Sequence, residues 1–271
     1  MDKERVPRGL KERAQALDCG KCRDEVELDF DLRMAFQPVV DVSAQNVFAY
    51  EALARFPGGN GAAEVLARIR PEQLYRFDQT CRVVAIESAA RLNLTERLSI
   101  NFLPQAVYEP AACIRLTMKA AADAGFSTDQ LIFEFTENEP IRDPVHTLDI
   151  VRYYRSRHML TAFDDFGAGY AGLGLLADYQ PDLIKLDMHL VRGIETSEPR
   201  QAVVASLVGL CQRLGVRVVA EGVETAEELD AVTRLGISLV QGYFIARPVI
   251  DELPAVNEAV WNYRVGGSAA R

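Results

Sequence analysis

No apolar run in this sequence approaches the roughly 20 residues of a membrane-spanning helix. The first residues, from Met1 to Arg5, are largely charged and carry no apolar signal-peptide core. Together these absences lead to the expectation of a cytoplasmic protein without a membrane span. A net positive charge is also lacking, with 30 Lys and Arg against 39 Asp and Glu. The formal net charge is -9, which argues against duplex nucleic acid as a partner, because duplex binding relies on basic surfaces. A small anionic ligand stays open, since bound cations invert the local sign. The five cysteines (Cys19, Cys22, Cys81, Cys113 and Cys211) are odd in number and scattered, so they make no disulfide framework. Cys19 and Cys22 form a lone CxxC, and no second CxxC or close histidine pair supplies the other ligands of a zinc site. Incidental, metal-binding and redox readings of that pair stay open. A dinucleotide-type glycine-rich turn is missing as well.

What is present is a long alternation of short apolar runs and helical patterns. Residues 1–33 read as a polar leader, 34–258 as one domain and 259–271 as a tail. The domain opens with Ala35–Val42 and Val47–Arg55, joined by too short a link for a parallel crossover, hence antiparallel. From Glu72 to Leu92 apolar residues such as Phe77, Cys81, Val84 and Ala89 recur at helical spacing. Strand patterns then follow at 98–102, 131–135, 160–165, 183–187, 216–221 and 238–241. Helical patterns separate them at 110–124, 143–157, 172–179, 200–214 and 226–235, and a last helix is expected over 252–261. Eight strands in this order predict an α/β fold, a TIM-like (βα)8 barrel with an irregular antiparallel first strand. A chain of 271 residues with 49% hydrophobic content has room for one such barrel.

Active sites of these barrels gather at the C-terminal ends of the strands. Here those ends carry Glu51, Asn101, Glu134, Asp164 with Asp165, Lys185 with Asp187, Glu221 and Gln241. Each has a bland alternative when taken singly. Asp164-Asp165 could be a solvated turn, Lys185 a structural ion pair, and Glu221 a helix cap. Brought into one ring, they make an oxygen-rich site suited to Mg2+ or Mn2+. Adjacent aspartates repel, and a pair of divalent cations is the natural neutraliser.

These residues also carry a resemblance. Glu51-Ala-Leu53 with Arg55 resembles the signature of the EAL-domain cyclic-di-GMP phosphodiesterases of bacteria. Phe36-Gln-Pro-Val39, Ser99-Ile-Asn101, Glu134-Phe-Thr-Glu137, Asp164 to Tyr170, Ile184 to Asp187, Ala220 to Glu224 and Gln241-Gly-Tyr243 match its other motifs in order. Ala168, Ala171 and Gly174 depart from the usual pattern without removing a ligand position. The resemblance implies metal-dependent hydrolysis of cyclic-di-GMP to linear pGpG. It implies one cation on Glu51, Asn101, Glu134 and Asp164, and a second on Asp164, Asp165 and Glu221. Lys185 would contact the attacking water or the phosphate. Glu224 and Gln241 would support the water network, and Glu137 would brace the loop after Asp165. Gln37, Leu53, Arg55 and Asp187 would contact the dinucleotide. Ca2+, a larger and weaker Lewis acid, is expected to permit binding and suppress cleavage. The family also implies a homodimer formed by the segment after Asp165, and apolar Leu173, Leu175 and Leu176 fit either that surface or ordinary barrel packing. The other reading is a silent cyclic-di-GMP receptor that signals through a protein partner; degenerate ligands would favour it, and the ligands are intact. The chain acts alone, is regulated by its leader, or is part of a longer protein.

Overall fold

The computed structural model describes residues 28, 30–57, 65, 67–107, 109–136, 144–168 and 172–261. The chain opens with β1 (Arg33–Asp41) and β2 (Asn46–Arg55), paired antiparallel along their whole length. Helix α1 (Leu74–Arg91) leads to β3 (Arg97–Asn101), and α2 (Pro110–Ala124) leads to β4 (Leu131–Thr136). Next come α3 (Pro144–Ser156), β5 (Leu160–Phe166), α4 (Gly172–Asp178) and β6 (Leu183–Leu186). After α5 (Met188–Val191) and α6 (Glu198–Leu214) follow β7 (Arg217–Ala220), α7 (Ala226–Arg234) and β8 (Leu239–Val240). Strands β2 to β8 pair in sequence order and are parallel; β1 pairs antiparallel with both β2 and β8 and closes the ring. This is the predicted (βα)8 barrel with its reversed first strand.

Two details were not foreseen. Val249–Ile250 form β9, which pairs with Ala35 and Phe36 on the edge of β1 that β8 leaves open. The helix expected over 252–261 is only α8 (Glu258–Trp261). Pro254 has no N–H to give a helix, and Asp251 N donates instead to Met34 O at 2.9 Å. Helix starts follow ordinary capping chemistry: Ser197 accepts from Arg200 N at α6, and Thr225 accepts from Glu228 N at α7. Among the described residues, no helix is long and apolar enough to cross a membrane.

Side chains alternate across each strand. One set faces the helices: Ile100, Phe133, Phe135, Phe163, Ile184 and Val240 belong to a large buried cluster with the helical residues. The buried face of α1 also carries Asp78 and Arg82, which pair at 2.7 Å, while Arg82 Nη1 donates to Tyr154 OH at 2.9 Å. The other set faces the barrel axis. Val39, Ala49, Ile132, Ala162, Leu183, Val219 and Leu239 meet there with Phe48 in a separate apolar layer. Below it, the guanidinium groups of Arg97 and Arg217 lie 4.9 and 4.4 Å from the Phe48 ring centre. The barrel is thus filled from its N-terminal end, and its next layer up is the site.

Candidate metal centre at the barrel mouth

Two residues beyond the apolar layer, on the same face of each strand, stand Gln37, Glu51, Glu134, Asp164, Lys185, Glu221 and Gln241. The period of a strand therefore delivers them to one level. Asp165 follows Asp164 directly and would normally face the other way. The register between β5 and β6 shifts between Phe163 and Phe166, and Asp165 takes a left-handed backbone with φ 54°. That irregularity lets both adjacent carboxylates serve the mouth.

Lys185 is the hub. Its Nζ lies 2.7 Å from Glu134 Oε2, 2.7 Å from Glu221 Oε1, 3.1 Å from Glu51 Oε2 and 3.2 Å from Asp164 Oδ1. Asn101 Nδ2 donates to Glu51 Oε1 at 2.8 Å, and Gln241 Nε2 donates to Glu51 Oε2 at 2.8 Å. Ser99 Oγ donates to Glu134 Oε1. Gln241 Nε2 also reaches Gln37 Oε1 at 3.3 Å, and Gln37 Nε2 donates to Ala246 O at 3.0 Å.

Charge in this layer is unbalanced. Glu51, Glu134, Asp164, Asp165 and Glu221 face a single ammonium. Burial pushes the Glu134 carboxyl up to about 8, with Glu51 and Asp164 adding to the rise against the pull of Lys185. Burial likewise raises Glu221 well above the carboxylate range, and raises Asp164. Glu51 goes the other way. Burial opposes its ionisation, but Lys185 and the donors Gln241 and Asn101 prevail and lower it. Burial would lower Lys185; its surrounding carboxylates, Asp164 first, raise it well above the usual lysine range.

The donors fit a pair of hard divalent cations. Ligand atoms of Glu51, Glu134 and Asp164 lie within 4.8 Å of one another, as do those of Asp164, Asp165 and Glu221. Oxygen donors of this kind suit Mg2+, Mn2+ or Ca2+. Five carboxylates against one lysine leave an excess of four negative charges, which two such ions would balance. Gln241 Oε1, buried at this level, accepts no hydrogen bond, and Asp164 Oδ1 has only the Lys185 ammonium near it, at 3.2 Å. Orphaned acceptors of this kind are expensive unless something else satisfies them.

The remaining predicted residues divide. A cavity of about 240 Å3 opens beside the carboxylates and is lined by Gln37, Leu53 and Asp187, as well as by Glu224. Asp187 also caps α5, accepting from His189 N at 2.8 Å. Arg55 lies at the end of β2 and donates to Ala54 O at 2.8 Å. Glu224 pairs with Arg192 at 2.8 Å and with none of the five carboxylates' partners. Glu137, Cys19 and Cys22 lie outside the described residues. Leu173 is 64% exposed while Leu176 is buried, so these two leucines of α4 lie one at the surface and one in the core. Sequence reading had missed Ser99, although its place two residues before Asn101 on the same strand face was a usable signal. It also gave no role to Arg192 and Glu228, whose partners come from distant loops.

Fold and donor set define a class: a (βα)8 barrel with an oxygen-lined mouth suited to divalent cations. Within it, the chain belongs to the EAL domain family, which matches residues 22–248. It is 32% identical over 224 residues to the blue light- and temperature-regulated antirepressor BluF of Escherichia coli, covering 82% of this chain and 55% of that protein. It is 30% identical over 229 residues to a cyclic di-GMP phosphodiesterase of Pseudomonas aeruginosa, covering 81% of this chain and 38% of that one. The chain thus spans about half or less of these curated relatives. Among solved structures, a standalone versatile EAL protein from Vibrio cholerae in its c-di-GMP-bound form superposes with a TM-score of 0.84 and 45% identity. That match covers 86% of this chain and 99% of the other. BlrP1 of Klebsiella pneumoniae, in a calcium and cyclic-di-GMP complex, gives a TM-score of 0.79 and 39% identity over 83% of this chain and 57% of that one. The same protein has been solved with manganese and the dinucleotide.

Proposed function

We propose that the chain hydrolyses one phosphodiester of cyclic di-GMP to linear pGpG, using two divalent cations of the Mg2+ or Mn2+ kind. The observation that carries this reading is the cluster in which Glu51, Glu134, Asp164 and Glu221 converge on Lys185, with Asn101 bonded to Glu51 and Asp165 grouped with Asp164 and Glu221. The likeness to proteins whose names and titles include cyclic di-GMP supports the substrate. Glu51, Asn101, Glu134 and Asp164 would hold one ion, and Asp164, Asp165 and Glu221 the other. When bound, such a pair supplies Lewis-acid stabilisation of phosphate oxygens and a more acidic water.

The chain's own groups have separate tasks. Lys185 Nζ holds the attacking water or a non-bridging phosphate oxygen as a compact positive charge. Gln241 fixes Glu51 with its amide nitrogen and leaves Oε1 free to accept from that water. Ser99 fixes Glu134, and Asn101 fixes Glu51. Gln37, Leu53, Arg55 and Asp187 contact the dinucleotide. Water oxygen forms a bond to phosphorus, the bond from phosphorus to the 3′-oxygen breaks, and the 3′-oxygen leaves with a proton as a hydroxyl. The product keeps its 5′-phosphate.

Similarity to an antirepressor gives a second reading, a receptor that signals through a protein partner. The intact donor set favours hydrolysis over silence. Incubation with cyclic di-GMP separates the two. Chromatography should show pGpG with Mg2+ or Mn2+, little product with Ca2+, and none with chelator. Tight binding with no product under any cation would leave the receptor reading. The dimer, formed through the segment after Asp165 and the exposed Leu173, is tested by light scattering. A fully active monomer at tens of micromolar would exclude it.

A further inference from the structure

The loops that follow β6, β7 and β8 meet on one flank of the mouth, and their backbones are in contact. Gly222 lies in left-handed backbone at φ +68°, and a Cβ there would stand 2.5 Å from Met188 Cβ. A Cβ on Gly242 would lie 2.1 Å from Val223 O. Neither position tolerates a side chain without moving the chain. Val223 N donates to Gln241 O at 3.1 Å, and Phe244 N donates to Val223 O at 3.0 Å. Glu228, on α7 and 3% exposed, ties two of the loops together: it accepts from Gly193 N at 3.0 Å and from Glu224 N at 2.8 Å.

This frame presents a charged pair that the carboxylate layer does not use. Arg192 Nη2 lies 2.8 Å from Glu224 Oε1, and Arg192 Nη1 lies 3.6 Å from Glu228 Oε2. Arg192 and Glu224 are 34% and 43% exposed, and both line the cavity that reaches Glu51, Asp165 and Glu221. Tyr243 lines it too, 49% exposed, with the Arg247 guanidinium 4.1 Å from its ring centre. An ordinary exposed ion pair contributes little stability. Held rigidly beside the candidate metal centre, this one offers an acceptor edge next to a donor edge, with an aromatic face nearby.

Guanine has the complementary edge. Its N1–H and N2–H groups are adjacent donors that suit a carboxylate, and its O6 and N7 are acceptors that suit a guanidinium. Adenine would set its N1 acceptor against the carboxylate, leaving both groups unpaired, which is how a polar site rejects an analogue. We infer that Arg192 and Glu224, positioned by Glu228 and flanked by Tyr243, read one guanine base of the dinucleotide. This gives Glu224 a specificity task in place of the water-network role that the family resemblance implies. It rests on the proposed substrate.

The test is calorimetric titration with cyclic di-GMP and with cyclic di-AMP, in Ca2+, on the wild-type chain and three variants. The wild type should prefer the guanine ligand. Glu224→Gln keeps the shape but replaces an acceptor with a donor, and it should reduce that preference by about tenfold or more, the size of one bidentate base contact. Arg192→Met should act in the same direction. Tyr243→Ala should weaken both ligands alike by about tenfold, because stacking serves any base. A merely structural pair would lower the melting temperature and leave the preference intact. A wild type that binds cyclic di-GMP with a preference untouched by Glu224→Gln overturns the inference alone. A wild type that binds neither ligand overturns the proposed function, and this inference with it.

Discussion

Two neighbouring layers fill the same barrel and differ in nearly every respect. The lower is apolar and well packed, with Val39, Ala49, Ile132, Ala162, Leu183, Val219 and Leu239 supplied by seven strands. The upper stands two residues nearer the mouth, further along each parallel strand and earlier on the reversed β1, and carries Gln37, Glu51, Glu134, Asp164, Lys185, Glu221 and Gln241. The lower layer stabilises the fold by burying hydrocarbon at about 25 cal/mol per Å2. The upper one works against it, since burial raises Glu134, Asp164 and Glu221 while only Lys185 offsets their charge. The lesson is one of division. Stability and chemistry occupy successive levels of one scaffold, so loss of hydrocarbon below or of a carboxylate above should disturb one property and spare the other, while Lys185, which four acids share, bears on both.

The largest separation is expected from Asp164→Asn, because Asp164 belongs to both candidate ligand groups. Turnover should fall by about 10³-fold, at the upper end of what one lost electrostatic contact costs. The metal-free protein should melt no lower, since a repelling charge has gone. A variant that keeps wild-type turnover would break the comparison. Ile132→Ala, directly below Glu134, should do the reverse: about 3 kcal/mol less stable from the cavity it leaves, with kcat of the folded fraction unchanged. Chemical denaturation together with kinetics on the same sample checks both halves.

Lys185→Met is expected to lower kcat by about 10²-fold, a typical loss for one positioned group. It should also lower the melting temperature of the metal-free protein, because four carboxylates lose the cation they share. Saturating Mn2+ should restore the melting temperature and leave kcat low. Recovery of kcat along with stability would make Lys185 a purely structural cation.

A smaller effect is expected from pH. The Glu134 carboxyl is raised from 4.5 to about 8 in the folded chain, so between those values the folded state binds more protons than the unfolded state. Stability from this group is complete below about pH 4.5 and is lost as pH rises towards 8. Metal-free protein should therefore melt lower at pH 8 than at pH 5.5. Saturating cation should narrow that gap, because it takes the protons' place. A metal-free melting temperature that climbs over the range would contradict the sign.

Much of this contrast was legible in the sequence, because a strand's period of two is a strong constraint. Ile132 and Glu134, or Leu183 and Lys185, had to share a face once the strands were recognised. The polar member of each pair sits at the strand's C-terminal end. The short link from Val42 to Val47 likewise forced the antiparallel opening. What escaped depends on closure in space. Lys185 meets Glu51 across 134 positions and Gln241 meets Glu51 across 190. Spacing gives no hint that one ammonium serves four acids. Glu228 falls in the first turn of α7, and its grip on Gly193 appears only when two loops are brought together. The short β9 was hidden for a similar reason: two residues carry no period, and only the open edge of β1 selects them.

The central claim is that the upper layer is completed by two divalent cations. The most direct measurement is calorimetric titration of Mn2+ into metal-stripped protein at pH 7, repeated in buffers of different ionisation enthalpy to count protons. The account predicts two ions per chain in the wild type, with net proton release as Glu134 and its neighbours ionise, and loss of both sites in Asp164→Asn. Binding of one ion or none, or a stoichiometry that Asp164→Asn leaves unchanged, would contradict it.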